Sequence, residues 1–255
     1  MARIEIADAA PGVRVLTFNR PEVRNAFDTE TYLELTAALR AADADDTVGA
    51  VVLTGSDGAF TSGADLSEMA ALATGAKVEG SDRGFQGFLD CLGDIGVPLL
   101  AAVNGVAVGL GFTMLAHCDL VLVDRDARLR VPFTELGVPP EAASSFLFPA
   151  VMGWQRAARV LLTSDWVGAD ELVELGLALR VCEPGAVRAE TVALAARIAS
   201  LARPSTRAVV SLMRAARRDA VQEANRREQR GFADLLFGAA QSGTLADFAA
   251  KAPPA

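Results

Sequence analysis

The sequence predicts an α/β fold built on parallel strands, and three observations carry that expectation. Short apolar runs, VGAVVLTG (48–55), VPLLAAVNG (97–105) and DLVLVD (119–124), read as buried strands. Segments with helical periodicity separate them, the pattern of parallel strands joined by helical crossovers. From about Pro204 onward the chain reads as helix alone, so a helical region follows the strand-bearing part.

The elements follow in order. RIEIAD (3–8) and VRVLTFNR (13–20) form two strands joined by a turn at APG (10–12). DTETYLELTAALRAADAD (28–45) is a helix, with Asp28 as N-cap and Leu33, Leu35, Ala38 and Leu39 near helical spacing. The first buried strand follows. DGAFTSGADLSEMAAL (57–72) is a loop that leads into a helix, and the polar, Gly-rich stretch 74–84 is a mobile loop. A helix runs from there to about Asp94, then the second buried strand. VAVGLGFTMLAHC (106–118) turns and enters a helix before the third strand. Beyond Glu141 the chain is mostly helix, interrupted by one short strand at LALRVCE (177–183). Residues 203–238 form a long, arginine-rich amphipathic segment. Glutamates and alanines between its arginines favour a solvated or subunit-facing helix over a nucleic-acid surface.

Composition narrows the function. A chain of 255 residues, 51% of them hydrophobic, can bury a sizeable core. A net charge of -8 argues against nucleic acid as the main partner. No apolar run reaches the ~20 residues of a membrane span, and the start shows no signal-peptide pattern. Cys91, Cys118 and Cys182 lie far apart without a CxxC pair, which fits buried thiols in a reducing, cytoplasmic setting and gives no metal site. The single histidine, His117, argues against a serine hydrolase triad and fits a packing role at a helix end.

Three segments can carry chemistry. In AFTSGADLSEM (59–69), Gly63 permits an unusual backbone angle and Asp65 can cap the next helix. In AAVNGVAVGLGFTMLAHCDL (101–120), Gly105, Gly109 and Gly111 miss the GxGxxG dinucleotide spacing, but they leave a helix N-terminus with free N–H groups. One N–H from each segment can make an oxyanion hole. In PPEAASSFLFP (139–149), Glu141 is the only charge, so it either caps the following turn or acts as a base beside that hole. Glu135 reads as a surface acid, and Asp119 as a backbone anchor at a strand start.

Together with FNRPEVRNAFD (18–28), CDLVLV (118–123) and the terminal DFAAKAPP (247–254), these segments resemble the crotonase superfamily, the enoyl-CoA hydratase/isomerase group, over nearly the whole chain. The resemblance implies a crotonase (ClpP-like) spiral of ββα units over 1–200 and a helical C-terminal trimerisation region over 201–255, with a homotrimer or a dimer of trimers as the assembly. It implies an acyl-CoA thioester as substrate, with coenzyme A part of the substrate and no separate cofactor. The amides of Ala64 and Leu110 would hold the thioester oxygen. Arg24, Ala26, Ala64, Asp65, Leu66 and Lys251 would follow the CoA. The two glutamate positions of family hydratases fall on Thr113 and Phe133, which would line the substrate pocket and cannot serve hydration. LGVPPEAASS (136–145) is similar to the segment that carries the single catalytic glutamate of peroxisomal-type Δ3,Δ2-enoyl-CoA isomerases, which places that role on Glu141. Another crotonase-family reaction on an acyl-CoA, such as enoyl-CoA hydration, and a catalytically silent acyl-CoA-binding protein are the alternatives.

Overall fold

The computed structural model describes residues 2–73, 75–241 and 243. β1 (Ile4–Ala10) and β2 (Val13–Phe18) form an antiparallel hairpin, and α1 (Thr29–Ala44) follows. Asp28 caps α1 through its side chain, which accepts from the Thr31 amide at 2.8 Å. Next come β3 (Ala50–Gly55), β4 (Ala59–Thr61), α2 (Leu66–Ala73), α3 (Ser81–Asp94), β5 (Leu99–Val103) and β6 (Val106–Val108). α4 (Leu110–Thr113), a 3-10 turn at Met114–His117, β7 (Leu120–Asp124), β8 (Arg128–Arg130) and α5 (Phe133–Leu136) complete the central stretch. The remainder is α6 (Ser144–Met152), α7 (Trp154–Thr163), β9 (Val167–Gly168), α8 (Ala169–Glu174), β10 (Arg180–Cys182), α9 (Val187–Ala199), α10 (Arg203–Ala215) and α11 (Arg218–Gln241).

Two sheets result. The larger has the order β1-β2-β3-β5-β7-β10, parallel from β2 onward, and the smaller has the order β4-β6-β8-β9. Each of β3, β5 and β7 is followed within a few residues by a partner in the small sheet. The chain thus winds as a spiral of ββα units, the crotonase-type α/β fold. Both faces of the large sheet are covered. Val15, Val52, Leu100 and Leu122 pack on one side with Val187 and Ala195 of α9. Leu53, Ala101, Val103 and Val123 face the main core on the other side. Double burial explains why these strands read as unbroken apolar runs.

The small sheet departs from the sequence reading of 57–72 as a loop leading into a helix and of 106–118 as a turn entering a helix. Its strands have two or three residues each, too short to show alternation, and pairing with one another defines them. Helix α3 likewise starts at Ser81, inside the stretch read as loop. The arginine-rich segment is two helices that break at 216–217. There Arg214, 4% exposed, donates to the carbonyls of Leu92 and Ile95 and to Asp119 Oδ2 (3.0 Å), while Arg217 donates to the Ala116 carbonyl at 3.0 Å. Asp119 also accepts from the Leu99 amide at 2.8 Å, the anchoring expected of it. On α11, Val221, Ala224, Asn225 and Glu228 are buried, the i, i+3, i+4, i+7 face, and Arg226, Arg227 and Arg230 pair with Glu223 on the outside. Lys251 and the whole 247–254 segment lie outside the described residues. No described helix is long and apolar enough to cross a membrane.

Candidate active site

The site begins with the bend at 20–28. Arg24 and Asn25 both take left-handed backbone angles (φ 51 and 57), a conformation that asparagine tolerates well. The buried Asn25 side chain holds the bend. Its Oδ1 accepts from Arg20 N at 2.9 Å, and its Nδ2 donates to the carbonyls of Ser56 (3.0 Å) and Ala59 (2.9 Å). The bend is thereby laced to SGAD. Phe27 N donates to Gly63 O at 2.8 Å, and Asp65 N donates to Phe27 O at 2.9 Å. Phe27 therefore spends both its backbone groups on the neighbours of Ala64. In such a parallel bridge the Ala64 N–H points away from Phe27.

The second amide comes from the glycine turn. Gly109 (φ 53) donates to the Arg130 carbonyl at 2.9 Å and ends β6, and Leu110 opens α4 as a first-turn residue whose N–H has no intrahelical acceptor. Neither the Ala64 nor the Leu110 amide has an acceptor among the described residues. Glycine alone lets the two segments meet. A Cβ on Gly63 (φ +88) would stand 2.5 Å from Val108 O and 3.6 Å from Leu110 N. One on Gly111 would stand 2.7 Å from Thr61 Cγ2.

Glu141 completes the cluster. A Cβ on Gly109 would lie 3.8 Å from Glu141 Oε1, so the carboxylate stands beside the turn that presents Leu110. A cavity of about 380 Å³ opens in front of it, with Phe27, Tyr32, Ala64, Met69, Phe85 and Phe232 in its walls. A second cavity of about 60 Å³ shares Ala64, Met69, Glu141 and Phe232 with the first and adds Gly109, Pro132, Phe133 and Leu136. Among the described residues, four carboxylates face the larger cavity. Asp65 is bound by Ser67 and Arg20, Glu68 by the Thr29 amide and hydroxyl, and Glu228 by the amides of Ala143 and Ser145. Glu141 alone has no side-chain hydrogen bond among the described residues. Burial in these apolar walls, with the nearby Glu228 charge as a smaller cause, raises its carboxyl from 4.5 to about 8. A carboxyl so placed can exchange a proton near neutral pH.

The loop carrying Glu141 is strained and held from two sides. Ala142 and Ala143 are both left-handed (φ 56 and 55), at about 1–2 kcal/mol each. The buried His117 donates from Nε2 to the Ala142 carbonyl at 2.8 Å. Burial lowers that imidazole to about 4, so it stays neutral at ordinary pH. Glu228 reaches from α11 and accepts from the amides of Ala143 (2.7 Å) and Ser145 (2.9 Å), at the start of α6. Hydrogen bonds to a charged group are worth about 1.5–3 kcal/mol each, enough to offset the two strained alanines.

The other residues singled out in the sequence lie as follows. Leu66 opens α2 at the smaller cavity, and Asp65 binds Arg20 at 3.2 Å. Ala26 is buried, with its carbonyl accepting from Arg20 at 2.7 Å; Arg24 is half-buried, and its carbonyl accepts from Ser62 N. Phe133 lines the smaller cavity. Thr113 is fully buried, turns its hydroxyl to the Leu110 carbonyl and is not among the residues lining either cavity. Glu135 is exposed and pairs with Arg130. The sequence reading missed Glu228, Tyr32 and Asn25. Glu228 had a signal: it is an acid on the apolar stripe of its helix. Among the described residues no group of three or more histidines, cysteines or acids could hold a metal ion.

Comparison with known proteins gives the family. The family model described as "Enoyl-CoA hydratase/isomerase" matches residues 8–254. A protein of Rhizobium meliloti named "Probable enoyl-CoA hydratase" is 34% identical over 94% of this chain and 92% of its own length. Human "Enoyl-CoA delta isomerase 2" is 35% identical over 69% of this chain and 45% of its own length. The crystal structure of an enoyl-CoA hydratase/isomerase from Pseudoalteromonas atlantica has a TM-score of 0.90 at 35% identity, with 99% of each chain covered. The chain belongs to the enoyl-CoA hydratase/isomerase family.

Proposed function

We propose that this enzyme shifts the double bond of a 3-enoyl-CoA into conjugation, giving the 2-enoyl-CoA, with Glu141 as the single acid/base. The observation that carries this reading is the contrast among the four cavity carboxylates: three are spent on hydrogen bonds, and Glu141 is not. The thioester oxygen accepts from the amides of Ala64 and Leu110. Glu141, ionised, takes a proton from C2, and the electron pair moves into the carbonyl to give a dienolate whose negative oxygen those amides stabilise. The carboxyl then returns the proton to C4, and the double bond ends between C2 and C3. No water is consumed, and one carboxylate serves both steps. Arg24, Ala26, Asp65, Leu66 and Lys251 follow the CoA portion, and the acyl chain enters the cavity beside Tyr32 and Phe85.

Hydration, the second reading, is favoured by one observation: Glu228 is a second carboxylate at the same cavity. Its oxygens already accept two amides, which leaves it ill placed to move a proton to or from water. Incubation with 3-hexenoyl-CoA, followed by absorbance of the conjugated product, tests the proposal with Glu141→Gln alongside. Turnover that collapses in the variant supports it. Hydration of crotonyl-CoA without double-bond shift replaces it, and binding of acyl-CoA without turnover of either makes the protein a silent binder. Self-association belongs to the same proposal. Val209, Leu212 and Met213 form an exposed apolar stripe on α10 (56%, 73% and 60% exposed), and the native mass by light scattering checks for a trimer or hexamer.

A further inference from the structure

We infer that Glu228 of the C-terminal helix is a positioning residue for Glu141: its carboxylate holds the left-handed Ala142–Ala143 pair and so aims Glu141 at the cavity.

The geometry is specific. Helix α6 starts at Ser144, and its N-cap residue is an alanine that has no side chain to cap with. The amides at its start would be orphaned in a buried place. Glu228, 85 residues away from Ala143 and 6% exposed, supplies the missing acceptor with both oxygens, one on the Ala143 amide at 2.7 Å and one on the Ser145 amide at 2.9 Å. The first bond is to the second of the two strained residues after Glu141, and the other is to the amide two positions further on. With His117 on the Ala142 carbonyl from the opposite side, the loop is gripped on its donors by an acid and on its acceptor by a neutral imidazole. An acid on the apolar stripe of a helix carries a desolvation cost, and here that cost is offset by the buried Ala143 amide and the part-buried Ser145 amide that it accepts from. Glu228 also stands close enough to Glu141 for its charge to oppose ionisation of that carboxyl. The other charged and titratable groups around the pair are Arg227 on α11, Tyr32 of α1 with Asp28 before it, and Asp65 and Glu68 at the start of α2.

The inference rests on the reading of Glu141 as the acid/base, and the test separates the two. Hydrogen exchange of the 139–147 segment, followed by mass spectrometry in wild type, Glu228→Gln and Glu228→Ala, needs no activity. Faster exchange in Glu228→Gln, which can still accept one amide, and faster still in Glu228→Ala, is the expected result. With 3-hexenoyl-CoA, Glu228→Ala should lose roughly 10²-fold in kcat with KM little changed, as for a misaimed catalytic group. Glu228→Gln should move the acid limb of the kcat/KM profile to lower pH, because the charge opposing Glu141 ionisation is gone. A Glu228 that only packs the helix, away from the Glu141 carboxyl, would leave that limb and the kcat unchanged. Wild-type exchange rates in both variants overturn the inference whatever the reaction. If Glu228→Ala fails to fold, Glu228→Gln carries both measurements. Absence of wild-type turnover sinks the isomerase reading alone, and the exchange result still decides whether Glu228 holds the loop.

Discussion

Replacing Glu141 by glutamine should abolish the proposed double-bond shift and, at the same time, stabilise the protein in a pH-dependent way. The folded carboxyl holds its proton up to about pH 8, against 4.5 for its ordinary value. Between those pH values the unfolded chain has released the proton and the folded chain has kept it. The folded state then binds more protons, so stability falls as pH rises through this window. Below 4.5 both states are protonated and the penalty vanishes, and above the folded value it levels off. At about 1.4 kcal/mol per pH unit, the cost of Glu141 is about 1 kcal/mol at pH 5.5 and about 4 kcal/mol at pH 8. Glutamine keeps the shape and cannot ionise, so it removes the penalty. For a chain of this size the midpoint of thermal unfolding should rise by roughly 3 °C at pH 5.5 and roughly 10 °C at pH 8. Differential scanning calorimetry of both proteins at matched concentration measures this. A gain that does not grow with pH, or a loss at pH 8, would refute the argument that burial sets the charge of Glu141.

Other outcomes follow from the same geometry. Gly63→Ala forces a Cβ to within 2.5 Å of Val108 O and displaces the Ala64 amide, so kcat/KM should fall by about 10²–10³-fold while circular dichroism shows the fold retained. His117 has a folded value near 4, lowered from 6.5, so the stability that its burial as a neutral ring provides is present above 6.5 and lost as pH falls toward 4. The loss is about 3 kcal/mol by urea titration, and His117→Gln should flatten that acid limb. Arg214→Ala leaves Asp119 and two carbonyls without their buried partner and should cost about 3–5 kcal/mol in chemical denaturation.

The large sheet was legible in the chain because double burial writes itself as apolar runs, and α1 because Asp28 states its start and Leu35, Ala38 and Leu39 its inner face, although Leu33, read on the same spacing, is exposed. Glu141 drew attention as a lone charge among prolines and apolar residues, and Gly63 as a glycine where a turn had to be sharp. Local order along the chain is enough for such features. The small sheet was not legible, since strands of two or three residues have no period and exist only through their partners. The meeting of Ala64 and Leu110, 46 positions apart in the numbering, depends on glycines packing against carbonyls from another turn. Glu228 shows the same division most plainly. An acid on an apolar helix stripe signals a buried demand, but which demand depends on where α11 docks, and that docking sets it against the two amides beside Glu141. Hydrophobic period is a property of neighbours in sequence. The satisfaction of a buried charge is a property of neighbours in space, and residues 141 and 228 become neighbours only when the C-terminal helix closes over the spiral.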